Sequence, residues 1–205
     1  RLDYGAYKKL AEEATNQGLV PLATPFDEAS VDWCEALDFS VIKIASCSAT
    51  DWPLLRRVVQ AGRPVICSTA GSSVREIDDI VAFFLKHQVP LAINHCVGRY
   101  PADRQHLHMD QIRQLRERYS DLVVGYSAHE AVENLDAVAL AVASGAALLE
   151  RHIGLPGESI FLNNYSLAPD DVETWIDCAL QAHTAMSAGR QRIQREDEVR
   201  SMNEL

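Results

Sequence analysis

Six short apolar runs rich in β-branched residues recur along the chain. They are LVPLAT (19–24), SVIKIAS (40–46), PVICST (64–69), PLAINHC (90–96), DLVVGYS (121–127) and AALLERHI (146–153). Their starts lie roughly 20 to 30 residues apart, the length of one βα unit. They are apolar almost throughout, without clean alternation, which is the pattern of parallel strands covered on both faces. Amphipathic stretches with helix punctuation lie between them. In SSVREIDDIVAFFLKHQ (72–88), Ser72 or Ser73 is placed to cap the N-terminus and Glu76 to complete a capping box. The apolar residues Ile77, Ile80, Val81, Phe84 and Leu85 then fall at helical spacing. HMDQIRQLRERYS (108–120) and ENLDAVALAVASG (133–145) follow the same rule, with Gly145 as a stop. APDDVETWIDCALQAHTAM (168–186) opens on Pro169 and two aspartates, a strong helix start. The opening DYGAYKKLAEEATNQG (3–18) reads as a helix ending at Gly18.

One helix followed by six βα units leaves two architectures, an open doubly wound sheet or a (β/α)8 barrel. No glycine-rich fingerprint follows any strand, which weakens the dinucleotide-binding version. Polar residues gather instead at strand C-termini: Thr24, Ser46, Ser68 and Thr69, His95, Ser127 to His129, and His152. In a barrel all those ends face one mouth, where reacting groups collect. The sequence therefore predicts an α/β fold of the TIM (β/α)8 type. Six strands do not close such a barrel, so the expectation is that its first two strands are missing from this chain. The barrel domain is expected over 1–188. The charged stretch 189–205 reads as a linker to another domain or as a solvated tail.

Composition narrows the partners. The chain has 205 residues, 47% of them hydrophobic, enough for one substantial core. A formal net charge of −10 argues against nucleic acid and against an anionic membrane surface. No apolar run approaches the ~20 residues of a membrane span, and no signal-like stretch opens the chain. The five cysteines form no CxxC pair, which points to free thiols in a reducing, cytoplasmic setting.

Several rim residues can carry chemistry. His129 and His152 end consecutive strands, which lie ~4.8 Å apart in a parallel sheet. Two imidazoles so placed can meet one divalent cation, with water and substrate oxygens completing its shell. The alternative is a core histidine bonded to backbone and a loop histidine. Lys43 lies inside an apolar strand, where a lysine either snorkels or faces the mouth and binds an anion. Ser46, Ser68 and Thr69 could donate to the same anion, although hydroxyls at loop starts are common for capping reasons alone. Arg99 and Tyr100 precede Pro101, and surface or packing roles would account for both. Asn163, Asn164 and Tyr165, in the loop after the last strand, could touch a polyhydroxylated ligand or simply form a turn.

Six pieces in order, ATPFDEASVD, KIASCSATDWPLLRRV, GRPVICSTAGSSVREI, HCVGRYPA, VVGYSAHE and LLERHIGL, resemble the N-acetylneuraminate (sialic acid) synthase family. That family includes pseudaminic and legionaminic acid synthases and SpsE-like spore coat polysaccharide proteins. The resemblance covers roughly residues 3 to 190. It implies a (β/α)8-barrel transferase, acting in surface polysaccharide biosynthesis, that condenses phosphoenolpyruvate with an N-acetylated amino sugar. The products are a nonulosonic 2-keto acid and phosphate. It also implies a C-terminal antifreeze-like domain beyond the linker and a homodimer when full length. Carried over by position, phosphoenolpyruvate would meet Thr24, Lys43, Ser46, Ser68 and Ser127. A divalent metal, Mn2+ or Mg2+, would be held by His129 and His152. The residues expected to carry the reaction are Lys43, His129 and His152, with Tyr100, Asn163 and Asn164 toward the sugar. The sequence departs from the family pattern in three places. Ala128 stands where the family has an acid, Val97-Gly98 replaces a threonine-asparagine pair, and GESIFLNNYS (157–166) replaces an acidic sugar-handling loop. The expectation is therefore a divergent member with a different acceptor. Two alternatives are a metal-dependent lyase or aldolase in which Lys43 forms a Schiff base, and a non-catalytic sugar- or anion-binding homologue.

Overall fold

A computed structural model describes residues 2–157, 161–186 and 200–202. Helix α1 (Tyr4–Asn16) starts where the Asp3 carboxylate accepts the Ala6 N–H, and the chain leaves it through Gly18 at φ +76°. Strands β1 (Leu22–Ala23), β2 (Val41–Ile44), β3 (Val65–Ser68), β4 (Leu91–Cys96), β5 (Val123–Ala128) and β6 (Leu148–Arg151) fall inside the six apolar runs. Helices α2 (Glu28–Ala36), α3 (Trp52–Ala61), α4 (Val74–Lys86), α5 (Asp110–Arg118) and α6 (Asp136–Ala143) connect them, and α7 (Pro169–Met186) follows β6. Of the two candidate caps of α4, Ser73 is the one used: its Oγ accepts the Glu76 N–H while the Glu76 carboxylate accepts the Ser73 N–H. Most of the charged stretch at 189–205 lies outside the described residues. Among the described residues no helix is long and apolar enough to cross a membrane.

All six strands are parallel and ordered β1 to β6 as in the chain. Side chains alternate between the two faces. One face carries Ile42, Ile44, Val65, Cys67, Ile93, Val124, Tyr126 and Ala128, all buried with Leu55, Val58, Ile80, Phe84 and Ile112 of the helices. Each such aliphatic side chain contributes roughly 1.5–3 kcal/mol by leaving water. The opposite face carries Lys43, Ser68, Asn94, Ser127 and Glu150. Lys43 and Glu150 sit four strands apart, which in a flat sheet would be about 19 Å. Their charged groups are 3.4 Å apart. The sheet is therefore rolled with this second face inside, and the architecture is six consecutive strands of a (β/α)8 barrel. At the edge strand and toward the barrel floor the inner face is open: Leu22 is 47% and Val123 48% exposed.

One glycine of the inner face is dictated by close approach. A Cβ at Gly125 would lie 2.3 Å from Asn94 Oδ1 and 2.7 Å from the Leu148 carbonyl oxygen. The side chain can swing, but the carbonyl belongs to the neighbouring strand and cannot. Gly125→Ala is expected to lower stability by about 2–3 kcal/mol. A denaturant midpoint equal to that of the parent would refute this close-packing account.

Candidate active site at the barrel mouth

Lys43 is the deepest charged group on the inner face. Its Nζ donates to Ser68 Oγ at 2.8 Å and pairs with Glu150 Oε2 at 3.4 Å. The Glu150 carboxylate also accepts from Ser127 Oγ at 2.9 Å and from Asn94 Nδ2 at 3.3 Å. Five neighbouring strands thus aim one ammonium, two hydroxyls, a carboxamide and a carboxylate at one spot. Period-2 alternation puts them there: Ser68 registers with Asn94 on the next strand, and Ser127 with Glu150. The Lys43 side chain is 8% exposed and that of Glu150 39%, so the spot lies below the mouth but opens to it.

Above this network stand the two histidines. The rings of His129 and His152 are 5.1 Å apart between centroids. His129 Nδ1 lies 3.0 Å from the Val97 carbonyl oxygen, so Nδ1 carries the proton and Nε2 keeps its lone pair free. Burial pushes both imidazoles below the ordinary histidine value, and at His152 the neighbouring His129 adds to the effect. Both are therefore neutral at pH 7, the form a metal requires. Among the described residues no group of three His, Cys, Asp or Glu side chains is placed to hold an ion. The donor set fits a divalent cation bound by two nitrogens, with its other positions left to water and substrate.

Two tyrosines wall this pair. Tyr100 lies tilted 4.2 Å from His129, Tyr165 lies 5.3 Å edge-on to His152, and the two tyrosine rings are 5.4 Å apart. Tyr165 is presented by a turn in which Asn163 Oδ1 accepts the Tyr165 N–H, and the Asn164 carbonyl accepts the Val132 N–H. Tyr165 is the member of the trio whose ring reaches the histidines. Residues 158–160 of that loop lie outside the described residues.

The remaining expectations divide. Ser46 Oγ accepts the Ala70 N–H at 3.0 Å and also lies within hydrogen-bond reach of the Cys96 thiol. Thr69 is spent on structure, its hydroxyl donating to the Asn94 carbonyl at 2.9 Å. Thr24 lines a groove of about 450 Å³ with Trp33 and Phe39, beside α1 and α2, and among the described residues no hydrogen bond is seen between it and the Lys43 network. His95 does not face the mouth. Cys96 takes the inner position, so His95 points to the helix layer, where it stacks on Tyr126 and donates to the Leu107 carbonyl at 2.8 Å. Ala128 likewise faces the helices and is buried there, so the acid absent at that position does not open a gap at the mouth. Glu150 and Asn94 are the site residues that sequence reading passed over. Asn94 is a polar residue inside an apolar strand, whereas Glu150 stands in a run of three polar residues whose faces only the pleat decides.

A profile of the NeuB family matches residues 1–191. N,N'-diacetyllegionaminic acid synthase of Campylobacter jejuni is 30% identical over 157 residues, 75% of this chain and 46% of that protein. A crystal structure of a Chromobacterium violaceum protein, whose proposed name is spore coat polysaccharide biosynthesis protein E, superposes with TM-score 0.93 at 42% identity. The match covers 98% of this chain and 60% of that one. N-acetylneuraminic acid synthetase of Leptospira borgpetersenii, crystallised with citrate, gives TM-score 0.88 at 26% identity, covering 100% and 72% of the respective chains. The chain spans about half the length of the curated relatives it matches.

Proposed function

The chain belongs to the NeuB family, and from that premise we propose that its mouth serves a phosphoenolpyruvate-dependent condensation with an N-acetylated amino sugar. The product would be a nonulosonic 2-keto acid for a surface polysaccharide, with phosphate released. One observation carries the reading: Lys43, Ser68 and Ser127 converge on a single spot directly below a neutral histidine pair. An ammonium and two hydroxyls suit the carboxylate and phosphate oxygens of phosphoenolpyruvate. Ser46, at the same rim, supplies a further donor. His129 and His152 would hold Mn2+ or Mg2+, which when bound supplies a Lewis acid for the sugar's aldehyde oxygen. The enol carbon of phosphoenolpyruvate forms the new bond to the aldehyde carbon. Water then adds at the adjacent carbon, and the C–O bond to phosphate breaks to leave the ketone. Glu150, held by Lys43, Asn94 and Ser127, is the carboxylate placed to take the proton from that water. Tyr100 and Tyr165 form the wall against which the acceptor sugar would lie.

The test is phosphate release by the intact protein given phosphoenolpyruvate, manganese and a panel of N-acetylated sugars. Release with at least one sugar, dependent on that sugar, is expected. Background release with every member of the panel would end the proposal. An aldolase with a Lys43 Schiff base is disfavoured by the Ser68 and Glu150 contacts, which hold Nζ as a donor. Borohydride is accordingly expected to trap no Lys43 adduct.

A further inference from the structure

We infer that a buried ion pair between Glu130 and Arg151 is a positioning device that sets the spacing of His129 and His152. The inference rests on the reading of those two histidines as metal ligands. Glu130 directly follows His129 after β5, and Arg151 directly precedes His152 on β6. Their side chains are 1% and 3% exposed, with Arg151 Nη1 2.7 Å from Glu130 Oε1. Arg151 Nη2 also donates to the Glu130 backbone carbonyl at 2.9 Å, and the Tyr126 hydroxyl donates to Glu130 Oε2 at 2.7 Å. The register partner of Arg151 on β5 is Ala128, which offers no carboxylate. Glu130 fills that role from two residues further along. The cross-link therefore joins the two short segments that carry the imidazoles.

The rest of each segment is anchored separately. The His129 carbonyl accepts the Ala102 N–H at 2.9 Å, and the His152 carbonyl accepts the Leu167 N–H at 2.9 Å. Those bonds tie each strand end to its own loop, whereas the Glu130–Arg151 pair ties the two ends to each other. A buried ion pair adds little net stability over apolar residues of similar volume, because desolvation offsets the attraction. Its effect is then felt in geometry, and the two outcomes separate experimentally.

The experiment is Mn2+ binding to the intact protein, read from the electron paramagnetic resonance of the free ion. The double variant Glu130→Gln, Arg151→Met removes both charges at nearly constant volume, so no unpaired ion is left. It is expected to keep the parent circular dichroism while binding Mn2+ about 10-fold or more weakly, the usual loss when support around metal ligands is removed. A folded double variant with affinity within about twofold of the parent, on the same scale, overturns the inference. Tyr126→Phe decides the matter if the double variant does not fold, because it deletes only the hydroxyl bound to Glu130. A weakening of about threefold or more supports positioning, and unchanged affinity overturns it. His152→Ala separates this inference from its premise. If that variant binds Mn2+ as the parent does, the two-histidine reading itself falls. If it loses Mn2+ while the double variant and Tyr126→Phe keep it, only the positioning role falls.

Discussion

Lys43→Met is expected to lower phosphate-releasing turnover about 10³-fold, the upper range for removing one donor to a developing oxyanion, while the protein stays folded. Methionine matches the lysine stem in length and lacks a branch, so the strand and its helix-side packing are undisturbed. What disappears is the only ammonium in the network, and with it the 2.8 Å bond to Ser68 and the ion pair to Glu150. Glu150 keeps its bonds from Ser127 and Asn94 and remains partly open to water, so it is not stranded as a buried bare charge. Lys43→Arg is expected to fail as well. A planar guanidinium is wider than an ammonium and would have to enter the space between Ser68 and Glu150. Steady-state kinetics with phosphoenolpyruvate, beside thermal melting by circular dichroism, reads both halves of the expectation. Turnover within tenfold of the parent would remove Lys43 from the chemistry, by the same scale.

Lys43 was legible because a charge inside VIKI breaks an apolar run. The strands and caps were legible for a similarly local reason: each is written in a few consecutive residues, as with Ser73 and Glu76. The partner of Lys43 was not. Glu150 belongs to LLERHI, where three polar residues follow one another and only the pleat decides which face each takes. Its pairing with Lys43 exists only because rolling the sheet brings β6 across to β2. Local reading misplaced His95 for the complementary reason. It stands at the end of a strand, but end position and face are separate facts, and the inner position there belongs to Cys96. The same pleat explains Ala128. Its place in the motif marks a departure from the family pattern, yet its side chain meets the helix layer, and Glu130 meets Arg151 in its stead.

His152→Ala is expected to weaken Mn2+ binding by at least about 100-fold, the upper range seen even for outer-shell changes around a metal. In the proposed site the protein supplies two imidazoles, and no group of three His, Cys, Asp or Glu among the described residues offers a substitute, so losing one would halve the protein's share of ligands. The fold should persist, because His152 stands at the open mouth with its ring only partly desolvated, and its neighbours Tyr165 and His129 keep their own backbone anchors. The pH dependence supplies an independent check on the same site. Burial holds both imidazoles below the ordinary value of 6.5. Protons and metal compete for the same nitrogens, and a depressed pKa shifts that competition to lower pH. Parent affinity should therefore be level from pH 8 to 7, and should fall only as the pH drops below about 6.5. With two ligands to protonate, the fall should steepen toward two decades per pH unit, and in His152→Ala any residual binding should follow one proton. Affinity unchanged by His152→Ala, together with a flat profile down to pH 5, would mean that the ion is held somewhere other than between these two rings.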